Sequence, residues 1–205
     1  MREILERLQR ELPILEPVHH ETNRGYGAAV RTGLAAGQAG CHGYALVMDS
    51  DLTNDPRCIH QFLGFMERAV DLIKASRYVP GGAMVGVPFH RVLISIVGNR
   101  LASLLLGVPI ADCTNGFRPI RLALWERIGV GEPGFASIME EMYWAAFLGA
   151  SFAVVPYTLT AHSGGQSASH FRDKPRVFLD YLRCPLRTRL GSRPGGQLNS
   201  GRRGK

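Results

Sequence analysis

Gly43-Tyr44-Ala45-Leu46-Val47-Met48 is an unbroken apolar run that stops abruptly at Asp49-Ser50-Asp51. A run this short and this apolar reads as a strand buried on both faces, which a parallel sheet covered by helices requires. Helix-period segments alternate with such runs along the chain. Ile4, Leu5, Leu8 and Leu12 share one helical face before Pro13, and Ile14 to Val18 reads as a short strand. The glycine-bearing turn Asn23-Arg24-Gly25-Tyr26-Gly27 opens a small-residue helix suited to close packing on a sheet. Helices are expected at Pro56–Val70, Phe89–Leu106, Phe135–Leu148 and Lys174–Arg183, and strands at Leu72–Ala75 and Phe152–Pro156. Asp112 to Arg118 and Ser163 to Ser167 read as loops. The pattern is α/β, a mostly parallel sheet with flanking helices.

Composition narrows what this sheet can serve. The formal charge of +7 is concentrated at the end, because the last 19 of the 205 residues, from Arg187, hold six basic residues and no acid. Residues 1–186 are therefore read as one nearly neutral domain and 187–205 as a basic, disordered tail, which removes most of the case for a nucleic-acid partner. Cys41, Cys58, Cys113 and Cys184 form no C-x-x-C pair, so a zinc knuckle or disulfide scaffold is not indicated and a reducing cytoplasm fits. The opening Met1-Arg2-Glu3-Ile4-Leu5-Glu6 lacks the apolar core of a secretory signal. Arg100 interrupts the apolar stretch Val92–Ala111, which favours an interfacial helix over a membrane span.

Chemistry concentrates at the ends of the strands. Asp49 and Asp51 stand where open α/β sheets bind ligands, and two adjacent carboxylates stay ionised most easily around a divalent cation. Oxygen ligands of this kind select Mg²⁺ or Mn²⁺, which in turn bridge to phosphate oxygens. By itself the pair fits a solvated strand end, with Asp55 capping the next helix, equally well. Arg77, Arg91 and Arg118 stand at loop junctions and suit a doubly anionic substrate, although each alone would also serve a surface ion pair. The histidines show no metal-ligand spacing, and no P-loop or nucleophile elbow is present.

Four segments in order, Asn23-Arg24-Gly25-Tyr26-Gly27 through Leu34, Val47-Met48-Asp49-Ser50-Asp51-Leu52, Ser76-Arg77-Tyr78-Val79-Pro80-Gly81-Gly82 and Asp112-Cys113-Thr114-Asn115-Gly116-Phe117-Arg118, resemble glycosyltransferase family 2. Within it they are most similar to the dolichyl-phosphate mannose synthase-like, or polyprenyl-phosphate, group. The resemblance implies a GT-A fold and inverting transfer of a mannose- or glucose-type sugar from a nucleotide-sugar to a polyprenyl phosphate. The setting it implies is the cytoplasmic side of the cell membrane, with peripheral contact. Asp49 and Asp51 match the metal-holding motif, with Asp51, Arg77 and Arg91 expected to be catalytic. Thr53, Asp112, Arg118, His162 and Ser167 are expected on the substrate side, and Asn23, Gly25 and Gly27 on the donor side. Glu140 matches a recurrent glutamate of supporting role.

Two departures accompany the resemblance. The Pro-x-x-Asn-Glu and Asp-Asp-Gly-Ser motifs that open the family domain do not occur, so the domain is expected to lack upwards of roughly 30 residues at its front, one βαβ unit or more. His162 and Gly165-Gln166-Ser167-Ala168 replace an Arg and Gly-x-Ser-Lys loop, which loosens the expected acceptor class. A family 2 enzyme acting on a saccharide or another lipid, and a non-catalytic remnant, are the alternatives.

Overall fold

A computed structural model describes residues 2–51 and 53–160, together with Tyr181 and Arg183. The elements are α1 (Arg2–Glu11), α2 (Tyr26–Ala39), β1 (Tyr44–Val47), α3 (His60–Glu67), β2 (Leu72–Ser76), β3 (Ala83–Val85), α4 (Phe89–Leu106), β4 (Arg118–Arg121), α5 (Leu122–Trp125), α6 (Ser137–Phe147), β5 (Phe152–Pro156) and β6 (Thr158–Thr160). Four strands form one sheet in the order β1-β4-β2-β5, and β3 pairs in parallel with β6 in a second. Strands β2 and β5 run parallel from Leu72 opposite Phe152 to Ser76 opposite Pro156. Strand β4 runs against both neighbours, with Arg118 opposite Val47 and Ile120 opposite Leu72. Three of the four strands thus share one direction and the fourth is wedged among them.

Strand β2 is buried along its whole length and sends alternate residues to two cores. Leu72 joins Leu34, Ala102, Met139 and Met142 on the face covered by α2, α4 and α6. Ile73 and Ala75 join Phe62, Phe117 and Val155 on the face covered by α3. Tyr181 is buried in the first of these cores. Helix α4 ends in a left-handed Gly107, φ 66°, with Val108 N–H returning to the Ser103 carbonyl in the usual glycine stop.

Two expected strands differ. Ile14–Val18 is not a strand: Pro13 and Pro17 remove two ladder donors, Leu15 N–H turns back to the Leu12 carbonyl, and Ile14 is 91% exposed. β1 is half-buried, not covered on both faces, because among the described strands it pairs only with β4 and forms the sheet edge. Strands β3, β4 and β6 were not expected. The expected helix 56–70 begins as a 3-10 turn, Pro56–Ile59, capped by Asp55, whose side chain accepts from Arg57 N–H at 2.9 Å. The loop 163–167, all of the expected helix 174–183 except Tyr181 and Arg183, and the tail 187–205 lie outside the described residues.

Candidate active site

The antiparallel insertion of β4 decides where chemistry can collect. It brings the amino end of β4, Gly116–Arg118, to the carboxyl ends of β1, β2 and β5, where Asp49, Arg77 and Tyr157 follow. Asp49 is exposed and Asp51 half-buried at the end of β1. Desolvation of its carboxyl group raises the pKa of Asp49 although the residue as a whole is exposed, the charge of Asp51 raises it further, and Arg118 opposes both. The two carboxylates therefore repel each other as the spacing implies.

The loop that carries them is held from below. Asp49 N–H donates to Asn54 Oδ1 at 2.9 Å, and Asp51 Oδ1 accepts from Thr53 N–H at 3.0 Å and from Thr53 Oγ1 at 2.6 Å. Asn54 Nδ2 donates to the Tyr157 hydroxyl at 3.1 Å, and that hydroxyl donates to the Thr53 carbonyl. Thr53, expected to touch substrate, spends its hydroxyl on Asp51. Asn54 and Tyr157 were missed; the partners are 103 residues apart and neither belongs to a chemical motif.

The three arginines stand in different surroundings. Arg77 forms a two-pronged pair with Asp112, Nε to Oδ2 at 2.8 Å and Nη2 to Oδ1 at 2.7 Å, and adds Thr114 Oγ1 at 3.0 Å. Asp112 is fully buried and also accepts the Arg77 and Asn115 N–H groups, so it shapes the 112–118 loop and does not present its carboxylate to a substrate. Asn99, buried on α4, completes that loop by accepting Cys113 and Thr114 N–H. Arg118 is fully buried as well, its Nε and Nη2 on Glu141 at 2.5 and 2.6 Å, and its Nη1 on the Gly116 carbonyl. Burial disfavours its charge, but Glu141 outweighs that and holds the guanidinium's pKa above its ordinary value. Its role is to clamp β4 to α6. Arg91 stands exposed in the first turn of α4. Glu140 accepts the Gly131 and Glu132 N–H groups, a supporting role.

The glycines expected on the donor side have a packing reason. A Cβ at Gly25, φ 89°, would lie 2.5 Å from the Pro133 carbonyl oxygen, and one at Gly27 2.3 Å from that of Glu132. Asn23 Oδ1 accepts Gly25 N–H at 2.9 Å and fixes the turn. These residues let α2 seat directly on the 131–134 segment. His162 and Ser167 lie outside the described residues.

Residues 1–129 match the family model for glycosyl transferase family 2. The chain belongs to this family. Among curated family 2 relatives it is 31% identical over 168 residues to polyprenol monophosphomannose synthase of Mycolicibacterium smegmatis, covering 78% of this chain and 63% of that protein. It is 29% identical over 160 residues to undecaprenyl-phosphate mannosyltransferase of Micrococcus luteus, covering 77% and 65%. The chain thus spans just under two thirds of these relatives' length. The glucosyl-3-phosphoglycerate synthase of Mycobacterium tuberculosis, solved with Mn²⁺, UDP and phosphoglyceric acid, superposes with TM-score 0.54 at 19% identity, covering 92% of this chain and 60% of that one. The same enzyme with Mg²⁺ and UDP gives 0.53 at 21% identity, covering 92% and 60%. The fold is GT-A.

The donor set of this glycosyl transferase family 2 chain fits a divalent cation. Among the described residues no cluster of three or more His, Cys, Asp or Glu side chains could form a self-sufficient metal cage. Two mutually repelling carboxylates at an open strand end are instead what Mg²⁺ or Mn²⁺ uses when phosphate and water complete its shell.

Proposed function

We propose that this chain carries the catalytic machinery for inverting transfer of a mannose- or glucose-type sugar from a nucleotide-sugar to a polyprenyl phosphate at the cytoplasmic face of the membrane. The observation that carries it is the Asp49/Asp51 pair, electrostatically coupled and hydrogen-bonded at the end of β1 beside the Arg77–Asp112 loop. The curated relatives, named for polyprenol or undecaprenyl phosphate, support the acceptor class.

An oxygen of the lipid phosphate attacks the anomeric carbon. The bond from that carbon to the diphosphate oxygen breaks, and the nucleotide diphosphate leaves with the electron pair. The acceptor is already an anion near neutral pH, so no side chain has to remove a proton. Asp49 and Asp51 would hold Mg²⁺ or Mn²⁺, which supplies positive charge to the departing diphosphate. Thr53 fixes the Asp51 carboxylate, while Asp112 orients Arg77 and the loop leading to β4. Arg91, exposed in the first turn of α4, is the arginine this reading assigns to the lipid phosphate.

Peripheral contact with the membrane belongs to α4. The helix is long and apolar enough to cross a membrane. Yet Asn99, Ala102 and Leu106 dock it on the domain, and its other side exposes Phe89, Leu93, Ile94, Val97, Leu101 and Leu104. An apolar stripe with Arg91 and Arg100 beside it suits the headgroup boundary of an anionic bilayer.

The test is transfer by the purified chain to vesicles containing polyprenyl phosphate, with labelled GDP-mannose or UDP-glucose. Label is expected in the lipid extract, and Asp51→Ala is expected to lower it by about a hundredfold or more at unchanged circular dichroism. Label confined to water-soluble products, or an Asp51→Ala variant as active as the parent, would overturn the proposal.

A further inference from the structure

The Tyr157 side chain serves no packing need that a phenylalanine would not meet. It is 2% exposed, and its ring stands edge-on to Phe117 with centroids 5.8 Å apart. A buried hydroxyl costs free energy unless it is bonded, and this one is bonded twice, accepting from Asn54 Nδ2 and donating to the Thr53 carbonyl. Burial raises the phenol's pKa, so the proton needed for the second bond is held. Each partner leads to one aspartate: Asn54 Oδ1 receives Asp49 N–H, and Thr53 binds the Asp51 carboxylate through its N–H and hydroxyl. Both arms of the Asp49-x-Asp51 loop therefore end on one oxygen.

That oxygen comes from a rigid base. Tyr157 joins β5 to β6; its N–H donates to the Ser76 carbonyl at 2.9 Å and its carbonyl accepts from Ala83 N–H at 3.1 Å. The backbone is thereby tied to the end of β2 and the start of β3, while the side chain reaches across to the loop after β1.

We infer that Tyr157 is a positioning residue for the metal-binding loop, its hydroxyl setting the relative placement of Asp49 and Asp51 through Asn54 and Thr53. The inference rests on the metal role of these aspartates under the proposed function. Groups that orient metal ligands from behind typically contribute 10- to 100-fold to affinity. Tyr157 reaches the two aspartates through Asn54 and Thr53, so its removal should weaken metal binding and leave the chemistry at saturating metal nearly intact.

Tyr157→Phe deletes one oxygen and keeps the ring. Mn²⁺ binding to the full chain, read by the electron paramagnetic resonance of free Mn²⁺, is expected to weaken about tenfold. Hydrogen exchange at the amides of Asp49 and Thr53 should quicken by a similar factor. Asn54→Ala should weaken Mn²⁺ binding as well, and the double variant should lose less than the product of the two, since the arms share one hydroxyl. In turnover, the Mn²⁺ concentration for half-maximal rate should rise while kcat at saturating Mn²⁺ stays within about threefold. Unchanged exchange in Tyr157→Phe overturns the inference, as does faster exchange with Mn²⁺ affinity within about twofold of the parent. A parent chain that binds no Mn²⁺ removes the metal assignment and with it the stated role of Tyr157; the exchange rates then report only whether its hydroxyl holds the loop.

Discussion

Arg118→Met separates a substrate-binding arginine from a structural one. The guanidinium and the Glu141 carboxylate are each 1% exposed and meet through two bonds of 2.5 and 2.6 Å. Deleting the cation strands the Glu141 carboxylate in the core, a loss of about 3–5 kcal/mol. Against a total stability of about 5–15 kcal/mol for a domain, that is a large share. It should appear as a fall in the urea midpoint at constant slope. The companion Arg118→Met/Glu141→Leu removes both charges. What remains unpaired is the Gly116 carbonyl and one partner of the Tyr26 hydroxyl, together about 1–2 kcal/mol. Arg118→Met leaves the same two groups unpaired, so the double variant should be more stable than the single by most of the stranded-charge loss, about 3 kcal/mol or more. An Arg118→Met chain that unfolds within about 1 kcal/mol of the parent, or a double variant no more stable than the single, would refute the buried clamp and return Arg118 to the substrate side.

Other outcomes follow from the same geometry. Lys74 is fully buried on β2 with its Nζ on the Asn115 carbonyl, and burial, aided by Arg118, lowers its pKa to about 7 against the opposing pull of Asp112, Glu141 and Cys113. The unfolded chain keeps that proton up to about pH 10.4, so the parent gains stability as pH rises from about 7 towards 10; Lys74→Met should lead at pH 6 and lose that lead by pH 10, and parallel curves in urea unfolding would sink the argument. Gly27→Ala should destabilise the fold by about 1–3 kcal/mol through the Glu132 carbonyl, while donor KM in the surviving folded fraction stays unchanged; a raised donor KM at full stability would restore the donor-site role. Replacing Leu93, Val97 and Leu104 by serine should cost about 1 kcal/mol or more of bilayer partitioning per site, and binding to anionic vesicles in flotation should fall at least about a hundredfold. Unchanged flotation would move the membrane contact away from α4.

How much of this could be read from the residues depends on whether a feature is local. The run into Asp49 and Asp51 is contiguous, so the strand, its end and its chemistry are visible together, and the 112–118 loop announces itself by composition. Strand β4 does not, because Arg-Pro-Ile-Arg has neither alternation nor an apolar run; it becomes a strand only because β1 and β2 flank it. The same absence of local signal made Arg118 look free for phosphate, since its partner Glu141 is 23 residues away on α6. The Arg77–Asp112 pair is hidden in the same way, because its partners are 35 residues apart in sequence and sit in separate motifs. Isolated arginines and aspartates of equal number near one sheet end should be tested first as partners, because an unpaired buried charge costs more than most ligand contacts return. At the sheet end the Asp49 and Asp51 carboxylates are held by Asn54, Thr53 and Tyr157, and Arg91 stands exposed on α4. Under the proposed function, Arg77 and Arg118 each already carry a carboxylate partner, so a divalent ion at Asp49 and Asp51 would supply much of the positive charge that a departing diphosphate needs.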